Sequence, residues 1–181
     1  MPTKKNQLRC NVIRVSKIHF VFVALLVGQT ILYDSAQLIA PETVFRRWIM
    51  AAALLVIATG IWYFAKNKST SQYQDKMLLF TLILTDIALA SYSVYSQRGM
   101  ASRAVLLYAI PILVSAILMK RTATYAVAAL CIAAYTLAAI SYFVFNFNEG
   151  YKVELYGEIG FYSILLLLLA GLVSSIIPKT K

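Results

Sequence analysis

Six apolar runs follow one another along the 181-residue chain, at roughly 17–39, 45–65, 76–97, 102–119, 122–146 and 156–177, with only short polar connections between them. Each approaches the ~20 residues an α-helix needs to cross a hydrocarbon layer about 30 Å thick. In hydrocarbon no water bonds the backbone, so such runs satisfy their N–H and C=O groups internally, as helices. The chain is 61% hydrophobic and 13% charged, about half the charged share of an ordinary soluble domain, and too little to cover a water-facing surface. Short connections make consecutive helices antiparallel neighbours. The expected fold is all-α, an integral membrane six-helix bundle. It comprises a basic N-terminal segment 1–16, a single six-span domain 17–177 and a tail 178–181. The first run is too long for the apolar part of a signal peptide and further spans follow it, so it reads as an uncleaved helix.

Charge sets the orientation. Of the 17 Lys and Arg residues, 12 fall on the side of the N-terminus (Lys4, Lys5, Arg9, Arg14, Lys17, Lys66, Lys68, Lys76, Lys120, Arg121, Lys179 and Lys181), against Asp75 alone. The other side receives 5, Arg46, Arg47, Arg98, Arg103 and Lys152, beside Asp34, Glu42, Glu149, Glu154 and Glu158. By the positive-inside rule both termini are cytoplasmic, in the plasma or inner membrane. The same clustering at span ends assigns the net charge of +10 to the membrane and not to nucleic acid.

The polar heart is expected in the pair of runs at 76–121. Asp86 sits ten residues inside the boundary marked by Lys76. An ionised carboxylate at that depth costs on the order of 2.5–3.5 kcal/mol on insertion scales, so it turns inward to a partner or is protonated. It is either an ion, proton or ligand site or a packing hydrogen bond. Thr85, Ser93 and Ser96 lie on or near its face, and Tyr92 and Tyr95 follow. Pro111 lies in the middle of the next run, where it removes a backbone donor and invites a kink.

Tyr125, Tyr135, Tyr142 and Asn146 share much of one face of the fifth run, with Cys131 one turn before Tyr135. With Tyr92 and Tyr108 they can line a cavity for an apolar or aromatic ligand, or else serve packing. The candidate ligand-binding set is Asp86, Tyr92, Ser93, Tyr108 and Tyr135. Trp48, Trp62, Tyr63, Tyr142 and Tyr151 read as interfacial aromatics. Small residues at Ala51–Ala53 and along 128–139 allow close helix approach, within the bundle or to another subunit. Arg46, Arg47, Arg98 and Arg103 are expected to meet outer acids, lipid phosphates or an anionic ligand. The loop 146–158 either lies on the membrane surface or packs back through Val153, Leu155 and Ile159. The Asn67–Ser69 sequon falls on the expected cytoplasmic side, where glycosylation does not occur.

His19, the single histidine, stands beside Lys17 at a boundary and reads as interfacial. One histidine and two cysteines of unrelated position, Cys10 and Cys131, make no metal or bis-histidine haem motif. The sequence has no P-loop, no nucleophile elbow, no HExxH and no lysine deep in a span. No catalytic residue, cofactor or metal is therefore expected.

The 76–121 pair resembles part of the multi-spanning membrane input domain of bacterial sensor histidine kinases. The features are Asp86 in mid-helix, a Tyr-rich exit (Tyr92, Tyr95), a short turn with Gly99 and Ser102, an apolar helix with Tyr108 and Pro111, and the basic turn Lys120–Arg121. The turn carries one glycine where such domains often have two. No ATP-binding glycine box follows before Lys181. The resemblance implies a non-enzymatic input module whose signal passes to a partner, an orphan signalling protein or another membrane protein. Two other roles fit the same features. One is the small-solute binding subunit of a transporter, similar in size and span count to the capture subunits of energy-coupling-factor importers. The other is a structural subunit of a larger membrane complex.

Overall fold

The structure, a computed structural model, describes residues 4–38, 40–66, 71–97, 99, 102–118, 120–146 and 152–177, without the side chains of 4–6 and 152. The Asn67–Ser69 sequon, Arg98, Tyr151 and the tail 178–181 lie outside these residues. Among the described residues the fold is all-helical, with six α-helices: α1 (Lys4–Ser35), α2 (Pro41–Lys66), α3 (Gln72–Ser96), α4 (Ala109–Ser115), α5 (Arg121–Asn146) and α6 (Lys152–Ile176). Five of the six are long and apolar enough to cross a membrane. α6 is the least covered by protein, 22% of its apolar window being buried against 50% for α3. That agrees with its leucine run, in which Leu165, Leu167 and Leu168 are exposed while Leu166 turns inward.

Two compact units divide the chain, Met1–Leu82 and Ile83–Lys181. In the first, α1 packs along α2. α1 begins at Lys4, so the basic segment is helical from there on, and Val12, Val15 and Ser16 are buried. α2 buries Val44, Ala51, Leu54, Ala58, Ile61 and Ala65, a seven-residue spacing that keeps one narrow seam of small and branched side chains against a neighbour. Polar groups in α1 bond to their own backbone, Ser16 Oγ to Val12 O (3.0 Å) and Thr30 Oγ1 to Leu26 O (2.8 Å). His19 is 5% exposed, its Nδ1 2.9 Å from the carbonyl of Val15. The interfacial reading of His19 is therefore corrected, because the α1 seam that buries Val12 and Val15 carries position 19 inward as well. Arg46 pairs with Glu42, one turn back, and the Arg47 guanidinium lies 5.4 Å above the Tyr33 ring. α3 opens with a reciprocal capping box, Gln74 N–H to Ser71 Oγ at 3.2 Å and Ser71 N–H to Gln74 Oε1 at 2.7 Å.

The second unit holds the latter part of α3 with α4, α5 and α6. The fourth apolar run is not one α-helix. It winds as a 3-10 helix over Arg103–Tyr108, as α over Ala109–Ser115 and as 3-10 again over Ala116–Leu118. Pro111 accounts for the first change of winding: it has no N–H for the carbonyl of Leu107 and its ring crowds that carbonyl, so α winding starts only at Ala109, from where it runs through Pro111 to Ser115. Ser102 starts the run, its Oγ accepting the Ala104 N–H at 3.0 Å. α6 begins four residues earlier than the sequence suggested, with Leu155 buried and Val153 exposed. Within the segment 146–158, of which 147–151 lie outside the described residues, Leu155 thus packs back while Val153 does not.

Candidate functional site

The buried face of α3 in the second unit carries Ile83, Asp86, Ile87, Ala90, Ser93 and Val94, a helical three-and-four spacing. Asp86 is 4% exposed, as the cost of a lipid-facing carboxylate requires, and Ser93 is 7% exposed. Asp86 lies within electrostatic reach of the Cys131 thiol on α5.

Tyr108 closes the first 3-10 run and is fully buried. Its hydroxyl lies 2.8 Å from Ser91 Oγ on α3. Ser91 Oγ also donates to the Ile87 carbonyl at 2.8 Å. A serine hydroxyl has one proton, so Tyr108 is the donor of the pair. The Tyr108 carbonyl accepts the Cys131 thiol at 3.8 Å. One residue is thereby bonded through its side chain to α3 and through its backbone to α5.

Tyr135, also fully buried, meets Tyr108 edge to face with centroids 6.1 Å apart, and meets Tyr162 of α6 in the same way at 5.7 Å. Three tyrosines thus run from the 3-10 segment before α4 through α5 to α6. The Tyr135 hydroxyl is buried and has no hydrogen-bond partner among the described residues. An unmet buried hydroxyl costs about 1–3 kcal/mol, which a polar atom brought to it would relieve.

Of the residues chosen from sequence, Tyr108 and Tyr135 are in direct contact, and Asp86 and Ser93 are buried on α3. Tyr92 is half-buried, and the α3 contact of Tyr108 is with its neighbour Ser91 instead. Tyr125 is 46% exposed, off the buried face that carries Tyr135. The ten-residue step from one to the other advances a helix by a non-integral number of turns, which separates their directions. Sequence reading missed Ser91 and Tyr162. The i,i+4 step from Ile87 to Ser91 is the one local signal that pointed to the first. In the other unit it missed Asp75, wholly buried although it stands in a polar stretch.

Two arginines outside the tyrosine cluster close helix ends. Arg9 donates through Nε to the Ala65 carbonyl and through Nη2 to the Lys66 carbonyl, both at 2.6 Å. Arg121 donates to the Ile177 carbonyl through Nε at 3.2 Å and Nη2 at 2.9 Å. Each cation neutralises unpaired carbonyls at the negative end of a helix dipole. An open cleft of about 470 Å³ between α1 and α2 is lined by Asp34, Gln37, Leu38, Ala40 and Pro41, none of them in the sequence-derived set. Among the described residues no group of three or more His, Cys, Asp or Glu is placed to hold a metal ion.

A family model described as the PilS-like transmembrane domain matches residues 2–179. Neither curated proteins nor solved structures give a match. With nearly the whole chain matched and six helices in place, this chain belongs to the PilS-like transmembrane domain family.

Proposed function

We propose that the chain is the membrane input module of a sensory system, and that its polar interior, Asp86, Tyr92, Ser93, Tyr108 and Tyr135, is where the stimulus acts. The family match carries this reading: PilS is a sensor histidine kinase, and the matched part is its membrane domain. The module performs no chemistry of its own and hands its state to a signalling partner. It lies in the plasma or inner membrane with both termini in the cytoplasm, the arrangement favoured by the 12 to 5 division of basic residues.

The mechanism rests on Tyr108. A stimulus that displaces it alters its hydroxyl bond to α3, its carbonyl bond from α5 and its ring contact with Tyr135 at once. The test is a set of fusions of residues 1–181 to a histidine kinase catalytic region, with junctions stepped over one helical turn. Autophosphorylation in vesicles should shift in Asp86→Asn and Tyr108→Phe relative to the parent fusion. Indifference to both substitutions at every junction refutes the input reading.

One observation favours a second reading, a small-solute binding subunit: the unpartnered Tyr135 hydroxyl supports a ligand with a hydrogen-bond acceptor. Native mass spectrometry of the purified protein tests it, through a bound small molecule present in the wild type and absent in Tyr135→Phe.

A further inference from the structure

We infer that the fourth span reads the thickness of the bilayer, by exchanging 3-10 for α winding on either side of Pro111. This rests on the sensory reading above and names the stimulus, the acyl-chain length of the surrounding lipid.

The length of this span sets it apart. The five long spans have 24 to 29 residues, about 36–44 Å as α-helix, and meet a ~30 Å hydrocarbon layer by tilting. The fourth covers Arg103–Leu118, 16 residues. It is bracketed by Arg103 on one side and Lys120 and Arg121 on the other, whose charges hold its ends at the two interfaces. Wound wholly as α it would reach only about 24 Å. A 3-10 helix rises about 2.0 Å per residue, so the observed winding brings it to about 28 Å. The stretch is concentrated where the span has most freedom: the first 3-10 segment is six residues long, beyond the usual three or four. Lipid has access to the span, since Leu106 is 71% and Leu113 54% exposed.

A thinner bilayer removes the reason for the stretch. Residues of the 3-10 segments then rewind to α, each shortening the span by about 0.5 Å and turning its side chain by about 20° relative to its neighbour. Tyr108 ends the longer segment, so the rewinding bears on it, against its bonds to Ser91 and from Cys131. Thickness is thereby converted into the state of one buried hydrogen bond.

The experiment uses the full chain with nitroxide labels at Leu106→Cys and Leu118→Cys, in a Cys10→Ser, Cys131→Ser background. It is reconstituted in phosphatidylcholine vesicles with short (myristoleoyl) or long (erucoyl) chains. The mean label distance from pulsed electron paramagnetic resonance should be about 2–3 Å longer in the long-chain bilayer. Pro111→Ala should shorten the distance in the long-chain bilayer and reduce the difference between the two lipids, because the restored N–H lets α winding run back into the first 3-10 segment. An unchanged wild-type distance overturns the inference, as does a Pro111→Ala variant that follows the lipid like the parent. Neither result touches the input reading, which stands or falls on the kinase fusions. If the fusions fail while the distance responds, the span stretches without serving as a sensor.

Discussion

Tyr108 on the fourth span and Ser91 on α3 are joined by a hydrogen bond of 2.8 Å whose proton belongs to the tyrosine, because the serine has given its own to the carbonyl of Ile87. The two ends of this bond are therefore unequal. Tyr108→Phe leaves Ser91 with its donor satisfied, and should cost about 1 kcal/mol. Ser91→Ala strands a buried phenol proton, and should cost about 1–3 kcal/mol. Thermal unfolding in detergent of both variants and the double variant measures the difference; equal penalties would contradict the assigned donor.

At Tyr135 the expected sign is reversed. Its hydroxyl is buried without a partner among the described residues, so Tyr135→Phe should leave the ligand-free protein unchanged or raise its stability by about 1 kcal/mol. If a ligand occupies this place in cells, the same variant should lose the stabilisation that added membrane extract gives the wild type. Melting curves with and without extract separate the two effects.

Gly99 stands in the left-handed backbone region, φ 62°, and a Cβ there would lie 2.9 Å from Cδ1 of Tyr142. Gly99→Ala should cost about 1–2 kcal/mol for the backbone alone, with more for displacing the ring. In a Tyr142→Ala background only the backbone portion should remain. Circular dichroism melts of the four proteins form the cycle that checks this.

The guanidinium of Arg121 donates twice to the Ile177 carbonyl, a charge-assisted contact worth about 2 kcal/mol when partly buried. Arg121→Gln should speed amide hydrogen exchange in the last turn of α6 by roughly tenfold or more, while exchange near Leu166 stays as in the wild type. Arg121→Lys should restore part of the protection.

The helices were legible because hydrocarbon permits so little else: apolar length alone placed five of them. The inward turn of Asp86 was legible too, since Ile83, Ile87 and Ala90 bury at its spacing. The winding of the fourth run was not, although Pro111 marked its place. Hydrophobicity does not distinguish 3-10 from α, and local strain decides between them. Arg9 and Arg121 bond across 56 and 57 positions of sequence, so they looked like ordinary positive-inside charges. Ser91 was passed over for Tyr92 and Ser93 because the contact depends on the rotation of α3 by a single residue. Asp75 lay hidden by its polar neighbours, which say nothing about which side chain a first helical turn will bury.

The Arg121 contact also constrains how α5 and α6 are free to move. It fastens the first residue of one to the carbonyl of Ile177, just past the end of the other, and so acts as a fulcrum at that end of the pair. Helices of 26 and 25 residues then behave as levers about 37 Å long, so that ~5° of splay becomes ~3 Å at the opposite tips. Displacement between them is smallest beside Arg121 and largest around Tyr142 and Leu155.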